Sequence, residues 1–242
     1  MKITYLSHSG FAVELPVATL LFDYFKGPLP AFSSDKPLFL FASHQHDDHF
    51  NPALFRLAAP YPDKRFLLSH DIARARKKFL RAGVLPDDFE QAVFLRAHET
   101  QSFPCGPGRL TVSTLRSTDL GVAFLVTCNG LRIYHAGDLN WWLWRGASRQ
   151  EAGNMAANFK REIDSLRGLS LDLAFAPLDP RQEEYYGLGV NYLLEQVAVR
   201  HLFPMHFWGD YSVMPRYLAQ FPAQAQATQF HIVEREGQSW EL

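Results

Sequence analysis

The chain has 242 residues, of which 47% are hydrophobic and 20% charged, a balance that excludes a disordered segment and supplies apolar side chains enough for a sizeable core. Its 24 basic and 25 acidic residues leave a formal net charge of −1, so no basic surface points to nucleic acid or an anionic membrane as a partner. The two cysteines, Cys105 and Cys128, form no CxxC pair, which argues against a thiolate zinc site and against a disulfide framework.

The opening MKITYLSHSG lacks a secretory apolar region, and no apolar run approaches the ~18 residues of a membrane span; the expected location is the cytoplasm. In chain order, KITYLS, GFAVEL and ATLLFDY read as an antiparallel meander of strands joined by short Gly- and Pro-containing turns. PLFLFAS (37–43) is almost wholly apolar, as a strand buried on both faces should be. Asn51-Pro52 predicts a helix start, with Asn as cap and Pro at the first helical position, and Pro60 ends that helix. RFLLS is a strand, and DIARARKKFLRAG (71–83) reads as one helix with Ile72, Ala75, Phe79 and Ala82 on its apolar face. Its basic residues Arg74, Arg76, Lys77, Lys78 and Arg81 read as a solvated face ahead of a phosphate patch. RLTVSTLR, VAFLVTC and LRIYHAG follow as strands, the last two joined by an Asn129-Gly130 hairpin turn. A helix over 154–167, a strand LDLAFAP, a helix near 190–200, a strand HLFPMH, a short helix near 215–220 and a last strand QFHIVE complete the chain. Two strand-then-helix halves without a linker predict one domain over 1–242, of layered α/β type.

Chemistry concentrates in SHQHDDHF (43–50), directly after the apolar strand. The spacing is His-x-His-x-Asp-His, and in an extended segment alternate side chains share a face, so His44, His46 and Asp48 are expected to point one way. Imidazole and carboxylate together suit zinc, manganese or iron. His49 is free to turn to a second site as the loop curls. Two later strand ends offer further ligands: Asp138 in LRIYHAGD, whose two oxygens suit a bridge between cations, and His206 in HLFPMHFW.

HQHDDH at 44–49, HAGD at 135–138 and PMH at 204–206 make the chain resemble the metallo-β-lactamase-fold metallohydrolases. ITYLSHSGFAVEL followed by LLFDY resembles the opening hairpins of that superfamily, with Asp23 in the place of its frequent early Asp. The likeness spans nearly the whole chain and is greatest to the broad metal-dependent hydrolase group with lactonase-like and N-acylphosphatidylethanolamine phospholipase D-like members. The resemblance implies a four-layer αββα sandwich of two mostly antiparallel or mixed sheets with outer helices, and metals at one edge. It implies His44 and His46 in a first metal site, Asp48, His49 and His206 in a second, and Asp138 as the bridge. A metal-bound hydroxide would be the nucleophile, with Asp48 orienting it or relaying a proton.

One departure stands out. The family has a further metal-binding His before the GD motif, and here TLRSTDLGVAFLV has none. Ser117, Thr118 or Asp119 occupies the place, and only Asp119 is a good zinc ligand. His98 and His135 are conceivable replacements, though each reads first as a hydrogen-bonded core or surface histidine, as do His8 and His70, whose strand-end segments SHSG and LSHD could also line the cleft. Trp141 and Trp142 are expected to wall an apolar pocket, and Arg181 is expected either to meet a substrate carboxylate or phosphate or to form a surface salt bridge.

The expected activity is metal-dependent hydrolysis of a small ester, lactone, amide or phosphodiester with one or two zinc ions, manganese and iron remaining open. A metal-binding protein with a degenerate first site, or a nuclease or phosphodiesterase, is the alternative. Iron redox members of the fold tend to carry an acidic residue where His46 stands, which places that option last. The partner is a small-molecule substrate, with neither nucleic acid nor membrane expected, and a homo-oligomer stays open.

Overall fold

Strands β1 (Lys2–Ser7), β2 (Gly10–Glu14) and β3 (Thr19–Phe22) form the expected antiparallel meander in the computed structural model, which describes residues 1–242, residue 225 by its backbone alone. β4 (Leu38–Ala42), β5 (Lys64–Ser69) and β6 (Val93–Leu95) then add in parallel. Parallel neighbours need crossovers; a loop over 23–37 joins β3 to β4, and α1 (Ala53–Leu57), α2 (His70–Arg74), α3 (Arg76–Arg81) and α4 (Pro86–Glu90) supply the later ones. β7 (Thr100–Cys105), β8 (Gly108–Arg116), β9 (Val122–Cys128) and β10 (Leu131–His135) are antiparallel. Helix α5 (Arg149–Asp164), β11 (Ser170–Pro177), a 3-10 turn (Pro180–Tyr185), α6 (Leu188–Gln196) and β12 (Ala198–Met205) follow. The chain closes with α7 (Val213–Gln220), α8 (Pro222–Ala225), β13 (Gln229–Phe230) and β14 (Ser239–Glu241).

The strands form two seven-stranded sheets, ordered β14-β1-β2-β3-β4-β5-β6 and β13-β12-β11-β10-β9-β8-β7. Both are mixed, and helices cover their outer faces, which is the αββα sandwich. β4 shows why its sequence is apolar throughout. Phe39 and Phe41 belong to the core between the sheets, while Leu38, Leu40 and Ala42 belong to a second core with Leu54, Phe55, Ile72, Phe79 and Phe89 of α1–α4. Burying each large side chain contributes roughly 1.5–3 kcal/mol, so an alternating polar pattern could not hold this strand between two layers. On the far side, Phe159 and Ile163 of α5, Val190 and Leu193 of α6 and Met214 and Tyr217 of α7 are buried in the main core. Among the described residues, no helix is long and apolar enough to cross a membrane.

Several expected bounds shift. The predicted helix over 71–83 is two helices broken at Ala75, whose N–H is shared between Asp71 and Ile72 carbonyls; no Gly or Pro marks the break. The helix expected at 154–167 starts at Arg149, because Ser148 and Glu151 form a reciprocal capping box. The helix expected to run to residue 200 ends at Gln196. QFHIVE contributes only Gln229–Phe230 to the second sheet, and the unexpected β14 pairs instead with β1. β7 escaped notice because it is an edge strand whose Thr100, Gln101 and Ser102 face solvent and which holds Pro104.

Candidate metal centre

The chemistry-bearing groups gather where β1, β4, β10, β11 and β12 end. Residues 43–49 do not continue β4; they curl, with the N–H groups of His49 and Phe50 both donating to the His46 carbonyl at 3.0 and 2.9 Å. The curl corrects the expectation that His44, His46 and Asp48 point one way. His44 and His46 gather with Asp138, whereas Asp48 and His49 gather with His8 and His206, the ligand atoms of each group lying within 4.8 Å of one another. The loop is pinned from outside by Asp71, which accepts the Gln45 N–H at 2.9 Å, and by Lys78, whose ammonium is 2.9 Å from Asp47.

Asp138 stands between the groups. Its Oδ2 is 3.4 Å from His44 Nε2, and its Oδ1 is 3.2 Å from His49 Nε2 and 3.3 Å from His206 Nε2. His8 Nε2 approaches Asp48 Oδ2 at 3.3 Å, and the His8 ring lies 4.2 Å from that of His206. Ligand atoms that share a zinc ion at about 2.1 Å stand about 3.0–3.4 Å apart, which is this spacing.

The far sides of the rings are held by acceptors. Buried Asp23 accepts the Ser43 N–H at 2.7 Å, the Ser43 hydroxyl at 2.6 Å and His49 Nδ1 at 2.7 Å. Because the one Ser43 hydroxyl proton goes to Asp23, Ser43 Oγ accepts from His44 Nδ1 at 3.0 Å. Buried Asp179 accepts from His206 Nδ1 at 3.0 Å and is itself held by the Arg181 side chain and N–H. Each Nδ1 is thus fixed as the donor, and each Nε2 keeps its lone pair for the centre. His8 Nε2, His49 Nε2 and Asp138 Oδ1 are buried and have no hydrogen-bond partner among the described residues. Leaving such atoms unsatisfied costs roughly 1–3 kcal/mol each, so three in one place fit a cation. The donor set of imidazole and carboxylate fits zinc, manganese or iron.

The charges follow the same geometry. Burial alone would lower His49, but Asp138, Asp23 and Asp48 raise it to about 9, so a cation would take the place of the Nε2 proton and free the lone pair there. Burial and the neighbouring His49 push His44 down to about 3. Burial would raise Asp23 and Asp179, yet His135 and His49 hold the first, and His206 and Arg181 the second, near about 2. Asp138 and Asp48 are likewise held below the carboxylate range by surrounding histidines, against burial. Four of the site's residues, His8, Asp23, His206 and Trp208, have φ between 43 and 63°, a left-handed conformation that costs a non-glycine residue roughly 1–2 kcal/mol.

A cavity of about 360 Å³ opens onto the two groups. His46, Asp48, Asp119, Asp138 and His206 line its floor side, and Thr118, Trp142, Trp144, Met155, Arg181 and Trp208 line the rest. Asp119 is half-exposed with its Oδ2 3.9 Å from His46 Nδ1, beside the first group without joining it. Burial and Asp138 push its carboxyl up. Ser117 does not line the cavity; its Oγ accepts the Asp119 N–H. Thr118 donates to the Asn140 carbonyl at 2.6 Å and braces the loop after Asp138. Trp141 turns away to pack on Phe159 and Tyr192, and Trp142 and Trp144 wall the cavity in its stead. Arg181 pairs with buried Asp179 and also lines the cavity.

Of the histidines set aside on sequence, His135 is a satisfied core residue, bonded to the Ser9 carbonyl and the Gly137 N–H. His98 pairs with Glu162 and His70 with Arg96, both away from the centre. His8, read first as a core or surface histidine with a place at the cleft left open, joins the second group. Its only signal was its place at the end of β1, in SHSG.

Residues 2–144 match the sequence model of the β-lactamase superfamily domain. The chain belongs to the metallo-β-lactamase superfamily. A protein of Opitutus terrae described as a metal-dependent hydrolase is 28% identical over 149 residues, 57% of this chain and 63% of that relative, so the match spans less than two thirds of the relative's length. Over its whole length the chain superposes on the metallo hydrolase Igni18 of Ignicoccus hospitalis, with a TM-score of 0.61, 18% identity and 98% of that chain covered. It also superposes on 54% of CmlA, a diiron β-hydroxylase of Streptomyces venezuelae, with a TM-score of 0.62 and 12% identity. At such identities the likeness is one of fold, and this fold carries both hydrolysis and oxidation, so the chemistry has to be argued from the site.

Proposed function

We propose that this member of the metallo-β-lactamase superfamily is a metal-dependent hydrolase of a small ester, lactone, amide or phosphodiester. The observation that carries the reading is the convergence of three buried, unpartnered atoms, His8 Nε2, His49 Nε2 and Asp138 Oδ1, between rings fixed as lone-pair donors by Asp23, Ser43 and Asp179. His44, His46 and Asp138 would hold one ion, with Asp119 the carboxylate placed to add to them. His8, Asp48, His49 and His206 would hold a second, with Asp138 beside both groups. Zinc suits the set, and a divalent cation here supplies Lewis acidity and lowers the pKa of water.

The chain's own residues do the rest. Asp48, which lines the cavity, orients the attacking water at a carboxylate oxygen. Asp179 and Asp23 hold His206 and His49 in place, so the ligand rings need not reorganise. Trp142, Trp144 and Trp208 limit water around the scissile bond. Redox chemistry is the less favoured reading, because His46 stands in the ligand loop where redox members of the fold tend to have an acidic residue.

Metal analysis of the purified protein, paired with hydrolysis of an ester, lactone, amide and phosphodiester panel, tests the proposal. Asp138→Ala should release metal from both groups and abolish turnover, and Asp119→Ala should lower the content toward one ion per chain. Unchanged turnover by Asp138→Ala would sink the reading.

A further inference from the structure

Among the described residues, the large apolar side chains left most exposed are Leu85, Trp144, Trp208, Ile232 and Leu242. The only tryptophans in that set, Trp144 and Trp208, 43% and 51% exposed, both stand at the cavity that opens on the metal groups. Neither is loose. The Arg181 guanidinium lies 4.5 Å above the Trp208 ring and 5.9 Å from that of Trp144, and it is tied to buried Asp179, the carboxylate that orients His206. Trp144 lies parallel to Trp142 with centroids 6.0 Å apart, and the Trp142 ring is 5.4 Å from that of His206. Trp208 in turn meets the His8 ring edge-on at 4.6 Å. Indole surface therefore runs unbroken from solvent to the candidate ligands, on a rim made rigid by the same carboxylate that positions one of them. Exposed aromatic faces held rigid beside reactive groups are suited to a flat apolar partner, which loses little freedom in stacking there. The volume of about 360 Å³ sits at the low end for small-molecule sites and has room for an aromatic ring.

We propose that the substrate carries one planar aromatic group next to the bond that is cleaved, and that this group is seated against Trp144 and Trp208. The cleavable bond rests on the hydrolase reading above; the aromatic seat does not.

The test is calorimetric titration of the metal-loaded protein with benzoate and with acetate, which share a carboxylate and differ by the ring. Benzoate should bind at least about tenfold more tightly. The preference should vanish in Trp144→Ala and Trp208→Ala and return in Trp208→Phe, with metal content per chain unchanged in every variant. Equal affinities, or a preference that survives both alanine variants, would overturn the proposal. Hydrolysis of phenyl acetate and methyl acetate separates the two readings. Turnover of both esters with equal kcat/KM keeps the hydrolase and removes the aromatic seat. A benzoate preference without turnover of any member of the ester, lactone, amide and phosphodiester panel keeps the seat and removes the hydrolase.

Discussion

Asp23 never faces the cavity, yet the geometry makes the centre depend on it, and Asp23→Asn isolates that dependence. The carboxylate is fully buried and accepts three hydrogen bonds, from Ser43 N, Ser43 Oγ and His49 Nδ1 at 2.6 to 2.7 Å. Asparagine keeps the shape but offers one oxygen and one NH2, and the NH2 must face a donor. One or two charge-assisted bonds are lost at roughly 1.5–3 kcal/mol each, so the metal-free protein should lose about 3 kcal/mol and melt roughly 6–12 °C lower at about 2–4 °C per kcal/mol. Without its acceptor, His49 Nδ1–H no longer outcompetes the other tautomer, and the lone pair at Nε2 is lost in part of the population. Metal affinity should fall about 10- to 100-fold, as is usual when the carboxylate behind a ligand histidine is removed. Calorimetry of the metal-free chain and competition with a chelator measure the two effects. A variant that holds metal within about twofold of the parent would refute the claim that Asp23 fixes the His49 tautomer.

Further expectations follow from other parts of the fold. Gly121, at φ +73°, would place a Cβ into the Ser43 carbonyl oxygen and 2.6 Å from His44 Cβ; Gly121→Ala should cost roughly 3 kcal/mol or more. Gly83→Ala, at φ +94° with nothing nearby, should cost only about 1 kcal/mol, and equal losses in denaturant titrations would contradict this. His231 stacks on Phe203, and burial and His201 push its pKa down to about 4. The unfolded chain takes up that proton near pH 6.5, so this contribution is intact above pH 6.5 and drains away as pH falls toward 4, by at most about 3 kcal/mol. In His231→Gln the stability–pH curve should flatten in that window, and an unchanged slope would exclude His231 as its source. Cys105 and Cys128 are buried with their sulfurs 3.7 Å apart, and burial and Cys105 push Cys128 up to about 12. Iodoacetamide at about pH 8 should label neither thiol in the folded chain, because the thiolate is the reactive form, and both after denaturation; mass spectrometry decides.

The parts of this molecule legible in its sequence are those written as consecutive residues. β4 announced itself because burial on both faces requires an unbroken apolar run, and the β9–β10 hairpin because Asn129 and Gly130 both take positive φ, at 49 and 82°. His44 to His49 were legible as ligands for the same reason, since four of the six, His44, His46, Asp48 and His49, gather at the centre. Their division between two groups was not, because it depends on the curl at His46, which no propensity encodes. His8, Asp23 and Asp179 come from three distant segments and become a unit only when β1, β3 and β11 end at the same edge. β7 and β14 are polar or short edge strands with little hydrophobic period to read. Trp141 and Trp142 are neighbours in sequence, and only the packing of Phe159 and Tyr192 shows which one turns from the cavity.

Ser43 is where the two sheets touch at the edge that bears the site. It directly follows β4 of the first sheet, its carbonyl accepts the Val122 N–H of β9 at 2.9 Å, and both Gly121, just before β9, and Gly137, just after β10, lack the Cβ that would strike it. His44 is the next residue along. The gap between the sheets and the location of a ligand are therefore set by one contact, with no slack to absorb change. Repacking the large aromatics between the layers, such as Phe41 and Phe124 in edge contact at 5.2 Å, is then equivalent to turning a screw on the centre. Core volume becomes a control over spacing at the reacting atoms, and substitutions that look purely architectural can retune the chemistry without altering any residue that performs it.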